Sequence, residues 1–410
     1  MSTGISIFVY NRKAFLALVM MIAALKLFLS AIVPASFDLR DTVLLVSSGH
    51  APVGPWLALY PPLYNQTSNL SNLQAWWLAS PSTTNLGMQM TSLLFRLPIF
   101  AFDLATAIVI YYTGRSMASP VAGRIASLLW FLNPYSLFSI ELLGVPDVLA
   151  TFLTAVAFSM LFRRRYLLCG VFIGVGVWIK FFPILLLPPL LIFAYRSRIS
   201  RRKQVAMLVL GLLGLGGYVS WILPGWRTYL TTYTPVAQPL PFIAGESAIN
   251  GSAFGLILFY CMLLFFARQS KNPIELLLPT LLIYYALSNP APQYLIWAMP
   301  LMALDIAVIN PSRSLLFATF YALAYGQWFF TSSAFLTPSG YSLLMIPLAE
   351  SNPSWSVYAI TSLLESYSVT LLLPLLSSAL FACGAIYAVD IARSWFNTTS
   401  LVSEGTLDKP

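Results

Sequence analysis

The chain has 410 residues, 59% of them hydrophobic and only 9% charged, with a net charge of +9 and a mean hydropathy of +0.80. Apolar runs of about 20 residues, each long enough to cross a ~30 Å hydrocarbon core as a helix, recur along it. That pattern excludes a soluble globular protein and reads as a polytopic membrane protein.

Spans are expected at about 14–35, 88–113, 119–138, 146–162, 166–181, 183–195, 204–224, 252–267, 273–288, 292–309, 314–331 and 368–392. Backbone in lipid must satisfy its own hydrogen bonds, and no β-barrel alternation is visible. The fold class is therefore all-α, one membrane domain over 1–410 with about twelve transmembrane helices. The first span follows Arg12 and Lys13 and reads as an uncleaved anchor, because its apolar run exceeds a signal core and the cleavage signature is poor. Cys169, Cys261 and Cys383 lie in apolar segments with neither disulfide nor metal spacing and read as small core residues.

Most of the 22 basic residues fall in alternate connections, densest at Arg163 to Arg165 and Arg196 to Lys203. The positive-inside rule places these connections, and both termini, in the cytoplasm. The positive charge is then a matter of topology and of attraction to anionic lipid headgroups, with no nucleic acid implied. The long connections 36–87, 225–251 and 332–367 fall on the opposite, outer face, and 396–410 reads as a short polar cytoplasmic tail. Trp76 and Trp77 fit an interfacial helix at headgroup level. Sequons at Asn65, Asn69 and Asn250 fall on outer loops, and one at Asn397 on the tail.

The outer face concentrates the ionisable groups. Ser36 to Gln66 holds Asp38, Arg40, Asp41 and the single histidine, His50, followed by aromatics and prolines including Tyr60. Glu141 and Asp147 flank a turn with Gly144 and Pro146, Lys180 ends a Gly-rich helix before Pro183, and Arg227 opens the second outer loop. Transfer of a sugar from a lipid phosphate needs a carboxylate to take the acceptor proton and cations to receive the departing phosphate. Asp38 or Asp41 fits the first role, Lys180 and Arg227 the second. The bland alternatives are a polar helix cap with a surface ion pair for Asp38, Arg40 and Asp41, and a lysine snorkelling to the interface for Lys180. Gln293 and Tyr294, after the Asn289-Pro290-Ala291-Pro292 turn, suit either sugar hydroxyls or helix capping. Asp103, deep in the second span, is expected to meet polar atoms of neighbouring helices. No phosphate-cradling glycine loop, zinc spacing or nucleophile elbow appears.

Several of these pieces, in order, carry a resemblance: Phe37-Asp38-Leu39 with Tyr60-Pro61-Pro62-Leu63, Arg96-Leu97-Pro98 with Phe102-Asp103-Leu104, Asn133-Pro134 with Gly144 and Asp147, Gly170 to Pro188, and Ser288 to Leu301. The chain is similar to the GT-C superfamily of membrane glycosyltransferases, most of all to the GPI mannosyltransferase I catalytic subunit and its prokaryotic relatives. The resemblance implies a hexosyl, most of all mannosyl, transferase using a polyprenyl-phosphate donor and a lipid-linked or glycolipid acceptor at the outer or lumenal face. It implies Asp38 or Asp41 as base, Lys180 and Arg227 at the donor phosphate, and His50, Tyr60, Asp147, Gln293 and Tyr294 toward substrate. No cofactor is required, a divalent metal is compatible, and a small membrane partner subunit fits. The location would be the endoplasmic reticulum in a eukaryote or the plasma membrane in a prokaryote. One departure stands out: the family's Asp-x-Asp is here Asp38-Leu39-Arg40-Asp41. A degenerate motif also fits a non-catalytic, lipid-binding subunit of the GPI transamidase type. A lipid or glycan transporter is a third class, though no internal repeat supports it.

Overall fold

The structure, a computed structural model, describes residues 10–32, 86–142, 144, 147–180, 182–222, 272–287, 292–334 and 373–403. Among these every regular element is helical. The main helices are α1 (Arg12–Ile32), α2 (Leu86–Met117), α3 (Pro120–Phe131), α4 (Asp147–Phe162), α5 (Tyr166–Ile179), α6 (Leu187–Arg196), α7 (Arg201–Ile222), α8 (Pro273–Leu287), α9 (Met299–Leu304), α10 (Ser314–Ala334) and α11 (Leu373–Ser403).

Among the described residues three stretches, Arg12–Ser30, Arg96–Met117 and Arg201–Ser220, are long and apolar enough to cross a membrane. Shorter apolar helices such as Pro120–Phe131, Asp147–Phe162 and Tyr166–Ile179 occupy further expected spans. The expectation of an all-helical membrane protein holds among the described residues; the total of twelve crossings includes 252–267, which lies outside them.

Two expected spans are broken into pieces, and prolines explain both. A proline lacks the N–H that would continue an i to i−4 ladder. Where one continuous helix was expected over 183–195, a 3-10 turn (Phe182–Leu186) carrying Pro183 leads into α6, which starts with Pro188 and Pro189 in its first turn. Where 292–309 was expected as one span, a 3-10 turn (Pro292–Trp297), then α9 with Pro300 near its start, then a wide turn (Asp305–Ile309) follow in series. At the other end, α11 runs to Ser403, into the stretch read as a polar tail, since no proline or glycine interrupts it between Phe396 and Gly405.

The helix pairs around α5 are close-packed. α5 lies against both α4 and α7. The α5–α7 seam is made by Gly174 and Gly214: a Cβ on Gly174 would collide with the Leu210 carbonyl, and one on Gly214 with the Gly174 carbonyl. Such a contact needs residues without side chains, since there is little hydrophobic drive between helices in lipid. On α1, Phe15, Ile22, Ala23, Lys26 and Ser30 are buried on one helical stripe, whereas Leu16, Met20, Met21, Leu25 and Phe28 are exposed on the other. The exposed stripe is wholly apolar, as a face turned to lipid requires. Trp130, Phe131, Phe182, Trp297 and Phe320 are among the fully buried aromatic side chains of the core.

Candidate functional site

α4 begins at Asp147, which places a carboxylate in the first helical turn, where unpaired backbone N–H groups and the helix dipole favour negative charge. α5 ends two residues after Val177, and Lys180 follows as its C-cap in extended conformation, its backbone N–H bonded to the Gly176 carbonyl at 2.9 Å. Because α4 and α5 are antiparallel neighbours, the start of one meets the end of the other. Lys180 Nζ lies 3.2 Å from Asp147 Oδ1 and 3.5 Å from Oδ2.

A third element completes the arrangement. The 3-10 turn Pro292–Trp297 brings in the Trp297 indole N–H, which donates to Asp147 Oδ1 at 3.1 Å. The indole is stacked on Phe182 at 4.0 Å and 7°, and on Tyr294 at 4.6 Å and 19°. The Lys180 ammonium rests over the Tyr294 ring, 4.8 Å from its centroid, a favourable cation–π distance. The turn itself is pinned by Tyr285, whose hydroxyl donates to the Tyr294 carbonyl at 2.8 Å, and by Tyr321, which donates to the Leu295 carbonyl at 3.2 Å.

The pair is asymmetric in exposure. Asp147 and Trp297 are buried, but the Lys180 side chain keeps 28% of its surface accessible. An ammonium has three donors on a flexible four-carbon stem, so a partly open lysine can meet an incoming anion while still near its carboxylate. Chemically, the open side of the ammonium can receive an anionic group beside the aromatic faces.

A second charged cluster lies deeper and is closed. Lys26 of α1 is 2.6 Å from Asp103 Oδ2 of α2 and 3.3 Å from Glu141 Oε1, with all three side chains buried. Its ammonium stands 4.4 Å from the Phe131 ring centroid. Arg96 Nη1 donates to the Ser30 carbonyl at 2.8 Å, and Trp130 Nε1 to the Asp103 carbonyl at 3.3 Å. This cluster ties α1 to α2 and to the turn after α3.

A third joins the other end of the bundle. Arg313 bridges Asp305 Oδ1 through Nη1 and Asp390 Oδ2 through Nε, both at 2.7 Å, and Tyr387 donates to Asp305 Oδ2 at 2.9 Å.

Of the residues expected from sequence, the structure brings together Asp147, Lys180 and Tyr294. Gln293 lies on the same 3-10 turn. Asp38, Asp41, His50, Tyr60 and Arg227 lie outside the described residues. Asp103 has the helix-to-helix polar partner expected of it. Sequence reasoning passed over Lys26, although a lysine between Leu25 and Leu27 in an apolar span is itself a signal that a buried acid is near. Neither the ion pairs of Arg313 nor the Trp297 bond to Asp147 is visible in the sequence; only the tertiary fold reveals those contacts. Among the described residues no group of three or more His, Cys, Asp or Glu could hold a metal ion.

A family model described as "GPI transamidase subunit PIG-U" matches residues 38–233, a little under half of the chain. GPI mannosyltransferase 1 of Saccharomyces cerevisiae is 23% identical over 193 residues, covering 47% of this chain and 44% of that protein. The chain therefore matches under half the length of this curated relative. Both similarities are to GPI-related membrane proteins, one named as a transferase and the other as a transamidase subunit.

Proposed function

We propose that the protein is a GT-C-type glycosyltransferase that moves a hexose, in the first instance mannose, from a polyprenyl phosphate to a lipid-linked or glycolipid acceptor at the outer or lumenal membrane face. The observation that carries the reading is the Lys180 side chain: a partly open ammonium held by Asp147 and Tyr294 at the C-terminal end of α5. The similarity to a GPI mannosyltransferase supports it.

In this reading, Asp38 or Asp41 takes the proton from the acceptor hydroxyl as that oxygen attacks the anomeric carbon in line. The bond from that carbon to the phosphate oxygen breaks with inversion, and the electron pair leaves on the lipid phosphate. Lys180 and Arg227 stabilise that charge. Tyr294 steadies the lysine, and Asp147 holds it ready; His50, Tyr60 and Gln293 face the sugar and acceptor. No nucleotide is needed at this face. A divalent metal is compatible with the reading, as is a small membrane partner subunit. Both termini lie in the cytoplasm, with the endoplasmic reticulum as the membrane in a eukaryotic host.

A second reading has its own support. The matched transamidase-subunit family covers Asp147 and Lys180, and the interrupted Asp38-Leu39-Arg40-Asp41 motif fits a chain that binds a GPI-type lipid without turning it over. The headgroup seat would then serve binding alone.

The test is transfer of radiolabelled mannose from polyprenyl-phosphate mannose in membranes holding matched amounts of wild type, Asp38→Ala, Asp41→Ala and Lys180→Gln. The transferase reading expects wild-type activity that falls on the order of a hundredfold or more when the base is removed. Inactive wild type across hexose donors, or both aspartates dispensable, would hand the case to the binding subunit.

A further inference from the structure

The Lys180–Asp147 pair poses a physical problem for any anionic ligand. If Lys180 turns to a phosphate, it withdraws from a buried carboxylate, and an uncompensated buried charge is costly. The structure holds an answer in Trp297.

The two donors to Asp147 differ in kind. The indole has a single N–H and directs it at Asp147 Oδ1. It cannot easily turn, since it is buried between Phe182 and Tyr294, on a turn pinned by Tyr285 and Tyr321. The ammonium is partly exposed, sits on a flexible stem beyond the end of α5, and carries three donors. One donor is fixed and the other can move.

We propose that Trp297 is the positioning residue of this seat: it keeps Asp147 hydrogen-bonded at the start of α4 while Lys180 exchanges Asp147 for the phosphate of a prenyl-phosphate lipid. The inference rests on the reading of Lys180 as the headgroup seat of the transferase's prenyl-phosphate donor. Trp297 touches neither the phosphate nor the lipid in this scheme. It acts through Asp147, by removing the penalty for releasing Lys180.

The experiment uses the full chain purified in detergent, with farnesyl phosphate as probe and farnesol as the uncharged control. Wild type is expected to bind farnesyl phosphate more tightly than farnesol. Trp297→Phe keeps an aromatic ring in the stack but removes the N–H, so releasing Lys180 leaves the carboxylate without its fixed donor. Its Kd for farnesyl phosphate should rise about tenfold or more, with farnesol binding unchanged. The decisive variant is Trp297→Phe combined with Asp147→Asn: with no charge left behind, the Kd should return to within about threefold of wild type. A purely structural tryptophan would give no such rescue. Should Trp297→Phe not fold, Trp297→Leu, which likewise has no side-chain donor, carries the same expectation.

Failure of the seat and failure of the inference look different. If wild type binds the two probes equally, the headgroup reading falls and this inference with it. If wild type discriminates but Trp297→Phe does so equally well, or the double variant stays weak, the headgroup reading stands and the role of Trp297 is overturned.

Discussion

Lys26 and Asp103, 77 positions apart in sequence, meet at 2.6 Å from ammonium to carboxylate with both side chains shielded from solvent. Glu141 closes the cluster from a third element. The pair holds α1 together with the Arg96 bond to the Ser30 carbonyl, because the other contacts of that helix are largely apolar, and an apolar stripe gains little by leaving lipid that is equally apolar.

It follows that Lys26→Met should be disproportionately harmful. Removing one partner leaves two buried carboxylates facing each other without their cation, a change expected to cost about 3–5 kcal/mol. The triple variant Lys26→Met, Asp103→Asn, Glu141→Gln removes the charges together and should recover most of the loss. Thermal unfolding in detergent, read by the fraction of monodisperse protein after heating, checks both. Equal stability of the single variant and wild type would show that α1 is held by other means.

What the residue pattern revealed and what it hid divide along physical lines. Apolar length was enough to find most of the described helices, since that signal is local. Asp147 and Lys180 were legible as candidates because only 9% of the chain is charged, and Tyr294 because it follows the Asn289-Pro290-Ala291-Pro292 turn. Their mutual contact was not, because it depends on α4 and α5 being antiparallel neighbours and on a distant 3-10 turn arriving beside them. The fragmentation at Pro183 and Pro300 had a visible cause in the prolines, yet hydropathy, which sees only apolar content, ran both stretches together as single spans. Asp38, Asp41, His50, Tyr60 and Arg227 remain where the sequence put them, as expectations for the outer loops.

The α5–α7 seam makes a prediction about spacing. Gly214→Ala places a methyl against the Gly174 carbonyl, with backbone on both sides and nothing flexible to move aside. Overpacking of this kind is expected to cost about 1–3 kcal/mol and to shift α5, carrying Lys180 with it. Gly216, two residues on, has no atom within 4 Å of its would-be Cβ. Gly216→Ala should therefore be neutral or stabilising by up to about 1 kcal/mol through helix propensity. Melting temperatures of the two variants should move in different directions, and a matched loss at both positions would remove the seam from the account.

Arg313 supports a prediction of unequal partners. Asp305 is fully buried and depends on Arg313 and on the Tyr387 hydroxyl, whereas the Asp390 side chain is 43% exposed. Arg313→Met should thus destabilise by about 3–5 kcal/mol, because Asp305 is left buried with a single neutral donor. Asp390→Asn should cost no more than about 1 kcal/mol, the range of a pair open to solvent. Asp305→Asn in the Arg313→Met background should win back part of the loss, since the neutral amide needs no counter-ion. The same detergent melts read all three, and an Asp390 variant as damaging as Arg313→Met would mean that the link to α11, rather than the buried charge on Asp305, is what the arginine secures.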